Sequence, residues 1–331
     1  MGTALVTGAT SGIGLELVWQ LAAARHDLVL VARDHQRLAV LAEDLHQVAG
    51  VGAQVLPADL STAQGRQKVA QRLLRTGAAG TGSPNPAEAG STTRPGPAGT
   101  GSGTGPQGYD RLDPARLRDH VWPQGPGRQG GSRLPARSAR GPRTAQEVAR
   151  RPVDLLVNNA GFGLRQAFVG GDVDRERRAL EVMVGAVMEL SHAALPGMVE
   201  RGHGAVLNIA SLASLTAMGT YAAHKAWVRT FTEGLVSELR GTGVTATVVN
   251  PGLTRTEFHE RAGMDETAWP DAAWLRAEDV ARAALEAVRR GQVICTPSVR
   301  YRAANAALRA APRWFVRRVA GHGGVRTRYS R

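Results

Sequence analysis

The chain has 331 residues, of which 43% are hydrophobic, so it can bury one large core or two small ones. Its single cysteine, Cys295, excludes an intrachain disulfide framework and a multi-cysteine metal site. There is no run of 18 apolar residues, and the N-terminus lacks the charged segment of a signal peptide, so we expect a cytoplasmic protein.

The net charge of +13 is concentrated in two segments. Residues 76–151 contain 11 Arg and 5 acidic residues, and residues 299–331 contain 9 Arg and no acidic residue. A strongly basic protein often binds nucleic acid, but Arg outnumbers Lys 39 to 2 along the chain, which indicates a general preference for Arg. Few aromatic residues lie between the arginines of 76–151, so nucleic-acid binding is the least favoured interpretation.

Apolar runs typical of buried strands alternate with periodic stretches typical of helices. Strands are predicted over 4–7, 27–31, 54–57, 153–157, 205–210, 244–249 and 293–296. Helices are predicted over 12–25, from an N-cap at Asp34 to Leu45, and over 61–75, 174–201, 219–240 and 278–290. Strands separated by helices predict an α/β fold with a doubly wound parallel sheet.

The pattern stops between the third helix and the fourth strand. Residues 76–151 contain 15 Gly and 10 of the 17 Pro, without hydrophobic periodicity. Such a segment cannot bury enough apolar surface to offset the entropy lost on ordering. We predict a disordered insertion, with a short helix near 114–121, that interrupts a single domain made of 1–75 and 152–298.

The C-terminal tail, residues 299–331, carries Leu308, Trp314, Phe315 and Val319 among its arginines. The favoured interpretation is a helix docked on the body with a solvated Arg face. A basic amphipathic helix in peripheral contact with a membrane is the alternative.

A glycine-rich segment, Thr7-Gly8-Ala9-Thr10-Ser11-Gly12-Ile13-Gly14, follows the first strand and opens the first helix. Glycines let the backbone turn tightly and approach a pyrophosphate, and the free N–H groups of a helix N-terminus attract that anion. This context predicts dinucleotide binding by Gly8, Ser11, Gly12, Ile13 and Gly14.

The end of the second strand bears on the choice of cofactor. An acidic residue there would hold the ribose 2′-hydroxyl of NAD, but the chain has Val31-Ala32-Arg33. Because Arg33 can pair with a 2′-phosphate, NADP(H) is predicted and NAD is less favoured. The alternative is a surface arginine without this role.

Tyr221 and Lys225 are four residues apart at the start of a predicted helix, so they share a face. A tyrosine with its ordinary pKa of ~10 is a poor base at neutral pH. A neighbouring ammonium stabilises the phenolate and lowers that pKa, which makes the pair a candidate for general acid–base catalysis.

With these motifs in this order, residues 3–75 and 153–298 resemble the short-chain dehydrogenase/reductase superfamily. The family's further motifs are matched by Asp59, Asn158-Asn159-Ala160-Gly161, Ser211, Pro251-Gly252 and Thr256. The resemblance implies a Rossmann-like, three-layer αβα fold and an NADP(H)-dependent oxidoreductase that interconverts a carbonyl compound and its alcohol. It also leads us to expect a homodimer or homotetramer.

The resemblance implies a role for each matched residue. Ser211 would hold the substrate carbonyl, Tyr221 would transfer the proton, and Lys225 would bind the nicotinamide ribose. The other cofactor contacts would come from Asp59 at adenine, from Asn159, Ala160 and Gly161 beside the sheet, and from Pro251, Gly252 and Thr256 at the nicotinamide.

Three departures from the family pattern bear on the activity. Met183 occupies the place of an Asn that the family uses in a proton relay, and a thioether cannot replace an amide there. A catalytically weak NADP-binding sensor or scaffold is therefore the alternative function. The loop from Ser211 to Tyr221 is short, which predicts a wide mouth, and His224 is interpreted as a helix-surface residue.

In the family, the segment from Thr256 to Trp274 forms a lid over the substrate. The large apolar residues in this lid, which suggest an apolar substrate, are Phe258, Met264, Trp269 and Trp274. The alternative is that these side chains only pack against the body.

Overall fold

The computed structural model describes residues 2–74, 141–164, 166–258 and 269–319. Most of the predicted insertion lies outside the described residues, including the short helix expected near 114–121. Met264 and the end of the tail lie outside them as well.

The strands supply one large sheet and one short ladder. They are β1 (Thr3–Thr7), β2 (Asp27–Ala32), β3 (Ala53–Pro57), β4 (Leu155–Asn158), β5 (Gly204–Ile209), β6 (Val244–Val249), β7 (Thr254–Arg255), β8 (Leu275–Arg276) and β9 (Ile294–Cys295). Seven of them form a parallel sheet in the order β3-β2-β1-β4-β5-β6-β9, while β7 pairs with β8. The direction of winding reverses between β1 and β4, which is where such sheets bind ligands at their carboxyl ends.

Helices cover both faces of the sheet. They are α1 (Gly12–Ala23), α2 (His35–Asp44), α3 (Ala63–Leu74), α4 (Ala145–Ala149), α5 (Val173–Leu180), α6 (Ala186–Glu200), α7 (Gly219–Glu238), α8 (Ala277–Arg289), α9 (Val299–Ala310) and α10 (Arg313–Val319). Apolar residues of α1, α2 and α8 form the core on one face, and those of α3, α6 and α7 form the core on the other. The predicted doubly wound αβα fold is confirmed.

The predicted elements agree closely with the observed ones. Each strand of the large sheet begins and ends within two residues of its predicted bounds. The carboxylate of Asp34 accepts the backbone N–H of Arg37 at 3.0 Å, which confirms the predicted N-cap.

The predicted long helix is interrupted by a π-helical turn, Glu181–Gly185, between α5 and α6. Among the described residues, this stretch, 173–200, is the one helix whose length and hydropathy would allow it to cross a membrane. More than half of its apolar window is buried inside the protein, as expected of a helix packed on a sheet.

Residues 141–151, which the sequence assigns to the insertion, fold onto the body. Thr144 caps α4, and Val148 on that helix is fully buried. The guanidinium of Arg143 contacts the buried carboxylate of Asp27 at 2.6 Å. The predicted boundary at 151 is therefore corrected to a point before residue 141, because Val148 and Arg143 anchor this segment.

The described part of the tail forms α9 and α10, and both contact the body. Val316 is buried, and Arg313 donates a hydrogen bond to the carbonyl of Leu215 at 3.2 Å. Trp314 and Phe315 are exposed.

Candidate active site

Six of the predicted site segments begin within two residues of the end of a strand, whereas Tyr221 and Lys225 lie on α7. Because all strands of the large sheet are parallel, their carboxyl ends meet at one edge. The residues brought to this edge are Gly8 after β1, Arg33 after β2, Asp59 after β3, Asn159 after β4, Ser211 after β5 and Pro251 after β6.

The segment after β4 fixes the glycine-rich loop. The amide of Asn159 donates to the carbonyls of Thr7 at 3.0 Å and Gly8 at 3.3 Å. The hydroxyl of Thr7 accepts the N–H groups of Asn159 at 3.0 Å and Ala160 at 3.1 Å. A Cβ on Gly14 would overlap the carbonyl of Gly8 and the amide of Asn159, so only glycine allows this close approach.

Below that segment, the side chain of Asn158 ties the central strands together. Its amide donates to the side chain of Asn208 at 2.9 Å and to the hydroxyl of Ser191 at 3.2 Å. Asn208 in turn donates to Thr232 on α7 at 2.8 Å. This buried network holds β4, β5 and α7 in fixed register beneath the site.

The N-terminus of α1 opens toward the carboxyl edge of the sheet. Ser11 is its N-cap but makes no side-chain capping hydrogen bond, so its hydroxyl does not occupy the first N–H groups of the helix. Gly12 has φ of +54°, and a Cβ there would lie 3.2 Å from Thr256. The loop and the helix N-terminus could hold the phosphates of a dinucleotide, and Thr256, which is expected at the nicotinamide, lies beside Gly12.

Two arginines lie at the outer end of this cradle, each with a carboxylate nearby. Arg33 is exposed after β2, and its charge acts on Asp59. Burial raises the pKa of Asp59, but hydrogen bonds from Ser61 and the charge of Arg33 lower it, and the net pKa is below its usual value. Asp59 is thus ionised and held by Ser61, with contacts of 3.0 and 2.8 Å.

Sequence reasoning missed the second arginine. Arg37, in the first turn of α2, donates to the carbonyl of Thr10 in the glycine-rich loop at 3.1 Å. It also lies 3.9 Å from the carboxylate of Glu257, next to Thr256. The available signal was the position of Arg37, three residues after the N-cap Asp34. A side chain at that position can reach back past the start of the helix.

Ser211 and Tyr221 meet at the end of β5. The Ser211 hydroxyl accepts the N–H of Ala213 at 3.1 Å and thereby caps the short 3₁₀ turn Leu212–Leu215. Burial raises the pKa of Tyr221 to about 12, while a hydrogen bond with Ser211 opposes the shift. The phenol is therefore protonated at neutral pH.

Lys225 lies on the same face of α7, with its Nζ 5.9 Å from the centre of the Tyr221 ring. Its ammonium donates to the carbonyl of Ile209, the last residue of β5, at 2.7 Å. Burial lowers the pKa of Lys225 to about 8. The predicted lowering of the Tyr221 pKa by this ammonium is therefore wrong for the described structure, because burial dominates and Ser211 is the group that opposes it.

Met183 lies within the π-helical turn Glu181–Gly185 and is 1% exposed. The predicted surface position of His224 is wrong, because the residue is only 8% exposed. Burial lowers the pKa of His224, the charge of Glu176 raises it, and that of Lys225 lowers it.

Of the described lid residues, one contacts the site and another packs against the body. Phe258 packs against Tyr221, with ring centres 5.7 Å apart. Trp274 is buried and stacks under the guanidinium of Arg255 at 5.7 Å, so it packs against the body. Trp269 is exposed.

This constellation can be compared with known proteins. The family model described as short chain dehydrogenase matches residues 2–77 and 142–267. The chain belongs to this family. The unmatched residues between the two segments fall within the predicted insertion, which identifies them as an addition to the short-chain dehydrogenase fold.

Relatives of the chain include a reductase and a dehydrogenase. Sulfoacetaldehyde reductase 2 of Chromohalobacter salexigens is 38% identical over 143 residues, which are 40% of this chain and 57% of that protein. The NADP-dependent 3-hydroxy acid dehydrogenase YdfG of Escherichia coli K12 is 34% identical over 142 residues, with coverage of 40% and 57%. The chain thus spans a little over half the length of these relatives.

Solved structures match the whole fold. A short-chain dehydrogenase from Sphingobium yanoikuyae in complex with NADPH has a TM-score of 0.65 and 26% identity, covering 99% of this chain and 100% of that chain. The bulky-bulky ketone specific alcohol dehydrogenase from Comamonas testosteroni has a TM-score of 0.62 at 22% identity, covering 100% and 99%. The latter likeness concerns the fold.

Proposed function

We propose that this short-chain dehydrogenase is an NADP(H)-dependent oxidoreductase that interconverts a hydrophobic ketone or aldehyde and its alcohol. The observation that carries the proposal is the placement of Ser211, Tyr221 and Lys225 at the carboxyl edge of the sheet, beside the glycine-rich cradle. The catalytic unit would consist of residues 1–75 and 152–298, together with the anchored end of the insertion.

The protonation states favour carbonyl reduction. A Tyr221 phenol with a pKa of about 12 carries its proton at neutral pH and can give it to the oxygen of a reduced carbonyl. NADPH, bound in the cradle, would supply the hydride. Ser211 would hold the carbonyl oxygen through its hydroxyl, and the Lys225 ammonium would stabilise the phenolate left behind.

The preference for NADP(H) is supported by the two arginines at the outer end of the cradle. Arg33 would pair with the 2′-phosphate, and Arg37 adds positive charge on the loop side. The NADPH complex of the Sphingobium yanoikuyae protein and the NADP dependence of the Escherichia coli relative support this preference.

The proposed substrate class depends on the lid. Among the lid side chains in the described part of the chain, Phe258 contacts Tyr221. A substrate whose carbonyl faces Tyr221 would therefore meet an apolar side chain. The names of two relatives, a sulfoacetaldehyde reductase and a 3-hydroxy acid dehydrogenase, have the carbonyl–alcohol reaction in common but point to different substrates. Chain length of the substrate is therefore the variable to test.

The experiment is a turnover screen of the purified chain with NADPH and with NADH, over aldehydes and ketones of rising chain length. We expect oxidation of NADPH that becomes more efficient, by kcat/KM, as the apolar chain lengthens. The absence of turnover on every carbonyl would contradict the proposal.

One observation favours a second candidate, a catalytically weak NADP-binding sensor or scaffold. Met183 places a thioether in the buried π-helical turn beside Lys225, where it can neither donate nor accept as an amide would. Tight NADPH binding without turnover in the same screen would favour this candidate.

Two partner assignments remain part of the proposal. We expect a homodimer or homotetramer, which size-exclusion chromatography with light scattering would test.

A peripheral membrane contact of the tail is supported by the exposed Trp314 and Phe315 beside arginines on α10, and sedimentation with anionic vesicles would test it.

A further inference from the structure

A single buried guanidinium on α3 contacts the π-helical turn. Arg66 is 7% exposed. Its Nε donates to the carboxylate of Glu189 at 2.8 Å, and its Nη1 lies 2.8 Å from the carboxylate of Glu181. The same Nη1 donates to the carbonyl of Leu60 at 3.2 Å. Because the donors of a guanidinium point in fixed directions, these three acceptors hold Arg66 in one orientation.

The two carboxylates lie on either side of Met183. Glu181 is the first residue of the π-helical turn, and Glu189 lies in the first turn of α6. The carboxylate of Glu181 also lies over the last residue of the turn, since a Cβ on Gly185 would be 2.8 Å from its Oε2. Arg66 therefore ties both ends of the segment that contains Met183 to α3.

The turn depends on contacts of this kind. π-Helical turns are rare, occur mostly as single turns inside α-helices and frequently lie at functional sites. Val184 and Gly185, which end this turn, have low helix propensities, so the local sequence does little to fix its geometry. The ion pairs of Arg66 come from another helix and supply a constraint that the turn itself lacks.

The turn brings Met183 to the ammonium of Lys225. A side chain at position 161, which is Gly161, would meet both the Met183 side chain and the Lys225 Nζ. Lys225 is 5% exposed, and in the described part of the chain its ammonium donates to the carbonyl of Ile209. A thioether held at this place excludes water that would otherwise solvate the ammonium.

Few titratable groups lie near the Lys225 ammonium. On α7 they are Tyr221 and His224, and Glu176 on α5 acts on His224. β5 presents a backbone carbonyl, and the π-helical turn presents a thioether. Burial is the cause that lowers the pKa of Lys225, so the access of water to the ammonium determines that pKa.

We propose that Arg66 is a positioning residue, which fixes the π-helical turn and so keeps Met183 against the Lys225 ammonium and water away from it. The inference rests on the proposed function, because it concerns the residue that would stabilise the phenolate. Arg66 acts through the turn, by its contacts with Glu181 and Glu189. A contact on α3 thus sets the pH above which the active site loses its ammonium.

The direct test is the titration of Lys225 itself, which needs no substrate. The chain has two lysines, so lysine labelled with carbon-13 at Cε gives two NMR signals, and Lys68→Arg identifies the signal of Lys225. In wild type we expect a pKa of about 8. In Arg66→Met, water should reach the ammonium. The pKa of Lys225 should then rise by about 1 toward its ordinary value of 10.5, a tenfold change in the dissociation constant.

A second variant separates position from charge. Arg66→Met removes a positive charge, which by itself favours the ammonium, whereas Glu181→Ala removes a negative charge, which by itself disfavours it. Loosening of the turn should raise the pKa of Lys225 in both variants. Because the Glu181 side chain is 41% exposed, Glu181→Ala should fold even if Arg66→Met does not. A lowered pKa in Glu181→Ala would show that charge is the cause and would overturn the proposal.

Arg72, further along α3, is the matched control. It is also buried, and it donates to Gln54 at 2.7 Å and to the carbonyls of Val148 and Arg151 at 2.8 and 2.9 Å. Arg72→Met should lower the free energy of unfolding and leave the pKa of Lys225 unchanged. An equal rise of that pKa in Arg72→Met would mean that any loosening of α3 has this effect, and Arg66 would have no special role.

The kinetic test uses a carbonyl substrate found in the screen. The fall of kcat/KM for NADPH at high pH should move upward in Arg66→Met by the same amount as the pKa of Lys225, and Arg72→Met should keep the wild-type profile. An unchanged pKa of Lys225 in a folded Arg66→Met overturns the proposal. If the wild-type chain turns over no carbonyl, the proposed function fails on its own, and the titration of Lys225 still decides whether Arg66 acts through the turn.

Discussion

Met183 and Lys225 border the same space beside Gly161. The Cβ of a side chain at position 161 would lie 3.6 Å from the Met183 sulfur and 3.6 Å from the Lys225 Nζ. A buried ammonium thus has a thioether as its neighbour where the family resemblance leads us to expect an amide. The backbone irregularity that would present the amide is nevertheless intact.

Met183→Asn should raise turnover if proton transfer through Lys225 limits the rate. The amide can hold a water beside the ammonium, whereas the thioether cannot. Because position 183 is almost fully buried, an imperfectly paired amide should also lower the free energy of unfolding by about 1–3 kcal/mol. Single-turnover hydride transfer, compared with steady-state rates, separates a chemical effect from product release. Unchanged single-turnover rates in a folded variant would show that the proton relay does not limit the rate.

Tyr221→Phe should abolish turnover and leave NADPH binding largely intact. The change removes the proposed proton donor, while the glycine-rich loop, Arg33 and Asp59 are untouched. NADPH affinity by fluorescence titration is the control, measured beside turnover. Turnover within a few-fold of wild type would refute the assigned mechanism.

The arrangement of the site could be predicted from the sequence because it follows from strand order. Motifs that follow parallel strands must meet at one edge, so the short runs before Gly8, Asn159 and Ser211 already placed these residues together. The N-cap at Asp34 could also be predicted, because it depends only on a carboxylate three residues before the N–H that it accepts.

The features that escaped prediction depend on contacts between distant segments. The phenol of Tyr301 accepts the N–H of Leu253, 48 residues away, at 3.2 Å, and nothing in an Arg- and Ala-rich tail signals this hydrogen bond. Val148 is one apolar residue at the end of a Gly- and Pro-rich stretch, too little for periodicity to show. His224 is buried by the tertiary packing of α7, which the sequence of that helix alone does not reveal.

The lowered pKa of Lys225 should appear in the pH dependence of activity. Above a pKa of about 8 the free enzyme loses the ammonium, so kcat/KM for NADPH should fall as pH rises from 8 to 10. Lys225→Arg keeps its charge in this range but should be inactive, because a planar guanidinium cannot replace a compact ammonium beside the phenol. A flat profile to pH 10 would contradict the role of Lys225.

The lowered pKa of Lys225 should also make the free energy of unfolding depend on pH in a defined direction. Its pKa is about 8 in the folded chain against an ordinary value of 10.5, so the unfolded chain binds more protons between these values. The contribution of Lys225 to the free energy of unfolding therefore rises with pH across this window. The difference in unfolding free energy between wild type and Lys225→Met, measured in urea from pH 7 to 10, should show this rise, because the subtraction removes the opposite contribution of Cys295, whose pKa burial raises to about 11.

Arg33→Asp should weaken NADPH far more than NADH, because it removes a partner of the 2′-phosphate and places a negative charge there. The loss of kcat/KM with NADPH should be roughly 10- to 100-fold greater than with NADH, as for one charged hydrogen bond. Arg240→Asp makes the same charge change at the amino end of β6 and should alter neither. Equal losses with both cofactors in Arg33→Asp would contradict the assignment, and Arg37→Gln would then be the variant to compare.

The boundary of the insertion can be tested by two deletions that differ by ten residues. Replacing 77–140 with a short Gly/Ser linker should leave a folded chain that binds NADPH, because this segment has no hydrophobic periodicity and joins a helix to the next strand, where a loop suffices. Replacing 77–150 also removes Val148 from the core and Arg143 from the buried carboxylate of Asp27.

The longer deletion should cost several kcal/mol of unfolding free energy, on the order of 2–5, since it removes a core side chain and leaves the buried Asp27 with only its longer contact to Arg151, at 3.8 Å. Thermal unfolding, soluble yield and NADPH affinity of both variants are the measurements, with Asp27→Asn in the longer deletion as the control for the weakened ion pair. That substitution should restore part of the loss. Equal stability of the two deletions would return the boundary to 151, and loss of folding in the shorter one would make the insertion itself structural.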